Sequence, residues 1–226
     1  SKVCNVRMVP IATEIITREL TGKESPVPAL EEKVIPYYGV KEAAFPFNMF
    51  PEVDPLLGPE MRSTGEVLGL SESYGEAFYK AQEAVQSKLP LSGTVLISVN
   101  RKDKAEVVEV AKLFHENNFR IIATEGTCQL INEAGIPAEK VKKLCEGRPN
   151  VLDEITNGKV DIIVNSPVGK DSVYDDSYLR KAAIKGRIPY CTTMAAAMAA
   201  ATGIHAVNNH DGGKIASLQE LHGRIK

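Results

Sequence analysis

The sequence contains no tryptophan, only four cysteines and no long run of strong hydrophobes. The most apolar stretch, residues 189–207, is rich in alanine and includes His205, so it lacks the residues that a membrane-spanning helix needs. The cysteines form no C-x-x-C pair, which indicates free thiols in a reducing compartment. We therefore predict a cytoplasmic protein without a membrane segment. The thiols are Cys4, Cys128, Cys145 and Cys191.

Neither sign of charge predominates, because 27 Lys and Arg residues oppose 29 Asp and Glu residues and leave a net charge of −2. This balance argues against nucleic-acid binding as the main role. A length of 226 residues allows one large domain or two small ones. The chain begins with Ser1 rather than methionine, which predicts a piece of a longer protein.

Familiar catalytic motifs are also missing. The four histidines show no metal-binding spacing, and the sequence has no Walker motif, no G-x-G-x-x-G and no G-x-S-x-G. We predict no metal site and no catalytic residue in this chain. Glu125 and Asp171 are carboxylates beside strand ends, where solvated or capping roles are more common than general-base catalysis.

Proline is concentrated in the first part of the chain, where nine of the 13 prolines lie within residues 1–90. Proline interrupts helices and central strands, so this part is predicted to be rich in loops. We expect these elements to pack on another unit, because they are too few to close a core. The predicted elements are helices at 10–20 and 74–88 and extended segments at 37–47 and 63–70.

The second part, residues 91–226, begins after a boundary predicted at residues 89–93. Short, continuously apolar runs alternate there with helical patterns, which indicates a parallel sheet covered on both faces. The predicted fold class is α/β with a small doubly wound parallel sheet. The predicted strands are 94–99, 119–123, 141–144, 160–164 and 188–191; the predicted helices are 103–117, 127–134, 177–185 and an Ala-rich helix that includes 193–202.

Ligands of such sheets bind at the carboxyl ends of the strands, so the turns there are the candidate site. In the turn of residues 123–127, Gly126 allows close backbone approach, Thr127 is a candidate helix cap, and free N–H groups favour an anion. Helix capping alone is the alternative explanation of this turn. The lysines near these strand ends favour a phosphorylated ligand; they are Lys104, Lys143 and Lys170.

A long motif covers residues 53–67, which read Val-Asp-Pro-Leu-Leu-Gly-Pro-Glu-Met-Arg-Ser-Thr-Gly-Glu-Val. Further matching runs lie at residues 34–38, 40–42 and 146–149. Together they resemble the large subunit of the carbamoyl phosphate synthetase family. The resemblance covers essentially the whole chain. It implies that residues 1–90 are the loop-rich, incomplete end of the second ATP-grasp unit. Residues 91–226 would then be a methylglyoxal-synthase-like allosteric domain.

The resemblance implies a parent enzyme that is an ATP-dependent carbon–nitrogen ligase. That enzyme makes carbamoyl phosphate from bicarbonate, glutamine-derived ammonia and ATP, for pyrimidine and arginine synthesis. The implied partners are the remainder of the large subunit and a glutamine amidotransferase small subunit. The residues that bind ATP and Mg²⁺ (or Mn²⁺) would lie upstream, so this chain alone is expected to have no cofactor and no catalytic activity.

The family's regulatory domain binds nucleotide monophosphates, with UMP inhibiting and IMP activating bacterial members. Ser166-Pro167 stands where the bacterial pattern has two threonines, and Cys191 stands where it has an aspartate. Tyr190 and Thr192 match the positions that contact ornithine. The positions that match the family's phosphate-binding residues are Ser98, Lys104, Thr124, Gly126, Thr127, Lys143 and Asn165.

Two alternatives stay open at this point. Residues 166–171 resemble a run of methylglyoxal synthase, which would make Asp171 the base of a lyase acting on dihydroxyacetone phosphate. Against this lyase, its histidine after the first strand is replaced around Asn100-Arg101, and residues 1–90 would have no use. The Ala-rich helix at 193–202 favours a purely structural module that forms a homo-oligomer, although packing of its small residues within the domain is the better explanation.

Overall fold

The computed structural model describes residues 1–22, 32–49, 57–166, 173–209 and 215–226. Its strands are β1 (Tyr38–Ala44), β2 (Gly65–Ser71), β3 (Gly93–Ser98), β4 (Phe119–Thr124), β5 (Ala138–Val141), β6 (Ile162–Asn165) and β7 (Tyr190–Cys191). Its α-helices are α1 (Met8–Thr21), α2 (Tyr74–Ala84), α3 (Val107–Glu116), α4 (Glu125–Glu133), α5 (Val151–Thr156), α6 (Val173–Gly186), α7 (Met194–Asn209) and α8 (Leu218–His222). Short 3₁₀ turns lie at Phe47–Met49, Asp103–Ala105 and Leu144–Glu146.

A five-stranded parallel sheet with the order β5-β4-β3-β6-β7 forms the centre of the second part. Strands β3 and β6 at its centre have continuous apolar runs because both faces of the sheet are covered there. Val95 and Ile97 of β3 belong to a core shared with α3, α4 and α7, whereas Leu96 between them belongs to a core shared with α5 and α6. This arrangement confirms the predicted doubly wound α/β fold.

The chain moves from β3 outward to β4 and β5, then returns to the other side of β3 to form β6 and β7. The crossovers therefore diverge between β3 and β6, which is where open α/β sheets bind ligands. Ser98 at the end of β3 is in register with Asn165 at the end of β6. Thr124 ends β4 on the other side of β3. We call the region around Ser98, Thr124 and Asn165 the carboxyl edge.

The elements of residues 1–90 pack partly on this sheet domain. Strands β1 and β2 form an antiparallel pair, and α2 packs on both of them and on α7. Tyr79 and Leu89 belong to the same core as β3 and α3. A Cβ atom on Gly75 of α2 would lie 2.7 Å from the Thr202 carbonyl oxygen of α7, so the two helices are in close contact. The expected packing on the second part is confirmed for α2.

Several sequence-based element boundaries were wrong, including those of β5, α2 and α3. Strand β5 lies at Ala138–Val141 rather than at 141–144, because its central residues Glu139 and Lys140 are exposed on an edge strand and lack an apolar pattern. Helix α2 ends at Ala84, short of residue 88. The α-helix predicted from residue 103 begins at Val107 after a 3₁₀ turn. Within the five described segments, no helix is both long and apolar enough to cross a membrane.

Candidate functional site

Three polar side chains end three adjacent apolar strands at the carboxyl edge. Thr124 and Asn165 are buried and Ser98 is partly buried. The Thr124 hydroxyl donates a 3.4 Å hydrogen bond to Ser98 Oγ. Parallel strands bring their carboxyl ends to one side of the sheet, so the fold itself gathers these groups. The structure therefore brings together three of the residues that the sequence placed in the site.

Strand β4 leads directly into α4, whose N-cap residue is Thr124. The Thr124 side chain makes no capping hydrogen bond and contacts Ser98 instead. Thr127 is buried as the third residue of the helix, so the prediction that it caps α4 was wrong. The first N–H groups of a helix have no partner within the helix, and α4 consequently presents uncapped donors at the carboxyl edge.

Lys104 lies against this helix terminus. Its Nζ donates to the Gly126 carbonyl oxygen at 3.3 Å, and a Cβ atom on Gly126 would come within 3.0 Å of the same nitrogen. The absence of a side chain at Gly126 therefore admits the lysine ammonium. Glu125, the acidic residue of this first turn, is paired with Lys140, and the hydrogen bond from Lys140 lowers the pKa of that carboxyl.

Asn165 is held by the neighbouring elements. Its Nδ2 donates to Asp176 Oδ1 at 2.9 Å and to the Tyr190 hydroxyl oxygen at 2.6 Å. Because a carboxylate only accepts hydrogen bonds, the amide orientation is fixed and both of its N–H groups are used. Burial raises the pKa of Tyr190 to about 12. Among the described residues, no group donates to the Asn165 side-chain carbonyl oxygen, so this acceptor is left for a further hydrogen bond.

The other predicted contacts lie on the flanking strands. Lys143 is exposed two residues after β5, and Thr192 is exposed directly after β7. Cys191 of β7 is buried, and burial raises its pKa to about 12. Lys170 and Asp171 lie outside the described residues.

The sequence analysis missed several polar residues behind the site. Asn100 and Asp103 organise the loop after β3, and Asp176 of α6 holds Asn165. Asn100 could have been found from the sequence, because an Asn followed three residues later by an Asp, directly after a strand, is typical of a turn. Asp176 offered no such signal, because it lies 11 residues from Asn165. Across the described ranges, no group of three or more His, Cys, Asp or Glu side chains is arranged to hold a metal ion.

A second concavity lies away from the carboxyl edge. This groove of about 830 Å³ runs between β2, α2 and α8. Its polar lining includes Ser73, Glu76 and Lys80 of the first part and Glu220 and Arg224 near the carboxyl terminus. None of the residues that the sequence placed in the phosphate site lies in this groove.

The sheet domain was compared with protein-family models and with solved structures. A family model described as an MGS-like domain matches residues 106–192. A crystal structure of methylglyoxal synthase from Elizabethkingia anophelis overlaps 47% of this chain and 75% of its own, with 18% identity. Its TM-score of 0.39 is too low for that overlap to support an argument.

The curated relatives are more similar. The carbamoyl phosphate synthase large chain of Gemmatimonas aurantiaca is 45% identical over 98% of this chain and 20% of its own length. The protein named carbamoyl phosphate synthase large chain, C-terminal section, of Methanocaldococcus jannaschii is 43% identical over all of this chain and 38% of its own length. The chain thus spans about a fifth of such full-length relatives. It belongs, over nearly all of its length, with the carbamoyl phosphate synthase large chains and contains their MGS-like domain.

Proposed function

We propose that this chain is the regulatory part of a carbamoyl phosphate synthase and that its carboxyl edge binds the phosphate group of a nucleotide monophosphate such as UMP or IMP. One observation carries the proposal: the Lys104 ammonium lies beside the uncapped N-terminus of α4. The hydroxyls of Ser98 and Thr124 lie at the same edge. Together they supply a cation, backbone donors and the Ser98 hydroxyl, which accepts from Thr124 and keeps its own proton for one oxyanion.

Electrostatics favour an anion at this position. A helix N-terminus carries a partial positive charge, so a lysine ammonium placed there is repelled by the helix dipole. The acidic residue of that turn, Glu125, is already paired with Lys140. A bound phosphate would remove this repulsion and satisfy the free N–H groups at the same time.

The remaining phosphate-site residues fit the proposal in different ways. Thr127 and Gly126 would contribute their backbone N–H groups from the first turn of α4. Asn165 uses both amide hydrogens internally, so its free carbonyl oxygen suits a hydroxyl of the ligand better than its phosphate. Lys143, exposed beyond β5, would add long-range attraction.

The activity of the whole enzyme belongs to this proposal as well. By similarity, the chain would act in a cytoplasmic ATP-dependent ligase that needs Mg²⁺ or Mn²⁺ and feeds pyrimidine and arginine synthesis. Its partners would be the rest of the large subunit and a glutamine amidotransferase subunit. Helix α1 supports such a partner, because it buries no residue and leaves Ile16 and Leu20 exposed.

Ornithine contacts are proposed at β7. The Tyr190 hydroxyl already accepts a hydrogen bond from Asn165, whereas Thr192 is exposed. Thr192 is therefore the more accessible of the two side chains. Cys191 between them is buried and stays protonated near neutral pH, so it offers ornithine no charge.

Calorimetric titration of the purified chain at low salt tests the effector site. UMP, IMP and inorganic phosphate are the three ligands, and Lys104→Ala and Thr124→Ala are the test variants. Loss of the Lys104 contact should weaken binding by about 1 to 3 kcal/mol.

The matched control is Lys112→Ala, which removes an exposed lysine of α3 that pairs with Glu116. This variant should bind like the parent chain. Equal weakening by Lys104→Ala and Lys112→Ala would show that only net charge matters. Absence of binding by the folded parent chain would contradict the proposal.

The lyase alternative gains no support from a described residue, because Asp171 lies outside the described segments. An assay of methylglyoxal formation from dihydroxyacetone phosphate separates the two functions. The regulatory proposal predicts no activity above a buffer control.

A further inference from the structure

We propose that Asn100 is a positioning residue of the phosphate site, which ties the loop that carries Lys104 to the end of β6. The inference rests on the proposed function of the carboxyl edge. It concerns the hydrogen bonds that join Asn100, in the loop after β3, to Ser166, directly after β6.

Asn100 first fixes the turn that carries Lys104. Its Oδ1 accepts hydrogen bonds from the backbone N–H groups of Lys102 at 2.7 Å and Asp103 at 3.2 Å. Its Nδ2 donates to Asp103 Oδ2 at 2.7 Å. The first two bonds form a side-chain turn that sets the start of the 3₁₀ segment Asp103–Ala105. Lys104 is the middle residue of that segment, so its direction depends on Asn100.

The bond to Asp103 also has an electrostatic consequence. Asp103 is the carboxylate adjacent to Lys104 in the chain, and a free carboxylate there would compete with a bound phosphate for the lysine ammonium. Asn100 holds the Asp103 carboxylate through Nδ2, while Lys104 Nζ turns to the Gly126 carbonyl oxygen. The cation therefore stays directed at the N-terminus of α4.

Asn100 next crosses to the opposite loop. Its backbone N–H and its Nδ2 both donate to Ser166 Oγ, at 3.0 Å and 3.2 Å. The Ser166 backbone N–H donates in turn to the Ser98 carbonyl oxygen at 3.1 Å. The two Asn100–Ser166 bonds join residues 66 positions apart in the sequence. The turn after β3 is closed by local hydrogen bonds and does not require the bonds to Ser166. The bonds to Ser166 therefore fix the position of this loop relative to the end of β6.

The bridge determines which hydrogen bonds the Ser166 hydroxyl can still form. A hydroxyl oxygen accepts two hydrogen bonds, and both positions are taken by Asn100. The remaining capacity is donation of its proton. Ser166 is buried, and within the described segments its hydroxyl donates to no partner. A phosphate oxygen at the carboxyl edge would accept this proton, so Asn100 turns Ser166 into an oriented donor.

The test is a double-mutant cycle in which inorganic phosphate and UMP are titrated calorimetrically. The proteins are the parent chain, Asn100→Ala, Ser166→Ala and the double variant. Each single variant should weaken phosphate binding by roughly tenfold, the effect of one lost hydrogen bond. The double variant should be little weaker than the worse single variant, because Asn100 acts through Ser166.

Additive losses in the cycle would overturn the inference, and so would unchanged affinity in Asn100→Ala. A role confined to folding would lower the unfolding temperature of Asn100→Ala without producing non-additivity in binding. The matched control is Asn157→Ala, which replaces an exposed asparagine after α5 and should leave phosphate affinity unchanged.

Asn100→Asp separates the two roles of the side chain. It keeps an oxygen for the Lys102 and Asp103 N–H groups but removes the side-chain donor to Ser166, leaving only the backbone N–H, and places two carboxylates together. We expect it to fold and to lose at least as much affinity as Asn100→Ala, and it replaces Asn100→Ala if that variant does not fold. Full affinity in Asn100→Asp would contradict the bridge. If the parent chain binds neither ligand, the proposed function itself fails and this inference falls with it.

Discussion

The Asn165 amide joins three elements of the sheet domain through two hydrogen bonds. It donates to Asp176 of α6 and to Tyr190 of β7, and all three polar groups are largely removed from water. An unsatisfied buried N–H costs about 1 to 3 kcal/mol, which is more than an average hydrogen bond contributes. This small network therefore stabilises the end of β6.

Tyr190→Phe tests that network. The variant keeps the ring but removes the oxygen that accepts from Asn165, so one N–H loses its partner. We expect the free energy of unfolding at pH 7 to fall by about 1 to 3 kcal/mol, measured by urea denaturation. Tyr178→Phe is the control, because Tyr178 is 59% exposed on α6. Equal stability of the two variants would contradict the role of the hydroxyl.

Residue-level prediction from the sequence succeeded where a residue follows directly from a strand end. Ser98, Thr124 and Asn165 were expected at one edge, and the structure places them there. The Asn100 bridge was not expected, because polar loop residues show no periodicity and their partners lie far along the chain. The hydrogen bonds of both Asn165 N–H groups could not be predicted either, because their partners Asp176 and Tyr190 lie 11 and 25 positions along the chain.

At the scale of elements, the buried parallel strands were the most predictable. Their continuous apolar runs follow from burial on both faces, as in β3 and β6. Strand β5 was misplaced because it is an edge strand with two exposed charged residues. The start of α4 was placed too late, because β4 enters the helix without an intervening loop.

Gly69→Ala tests the contact between β2 and α2. A Cβ atom at Gly69 would lie 2.0 Å from the Ala77 carbonyl oxygen and 2.7 Å from the Ala81 nitrogen, both backbone atoms. Strand and helix would have to separate, so we expect a loss of about 1 to 3 kcal/mol in the free energy of unfolding.

Gly65→Ala is the matched control in the same strand, where an added Cβ meets nothing within 4 Å. It should leave stability unchanged or slightly raised. Urea denaturation of both variants measures the difference. A Gly69→Ala protein as stable as Gly65→Ala would show that α2 does not pack tightly on β2.

At the scale of the whole molecule, the helices of residues 1–90 differ in how far they are buried against the sheet domain. Helix α2 and Leu89 contribute to the core of the sheet domain, although they precede the predicted boundary at residues 89–93. Helix α1 buries no residue, and Leu20 is 80% exposed. This contrast fits a sheet domain whose core includes part of α2, and a helix α1 whose apolar side chains are exposed.

The most direct test of the phosphate site is a two-dimensional ¹H–¹⁵N NMR titration of the chain with inorganic phosphate and then with UMP. The account predicts the largest amide shifts at Gly126 and Thr127, with smaller shifts around Ser98 and Ser166. Shifts confined to the groove lined by Ser73 and Arg224, or no shifts at saturating ligand, would contradict it.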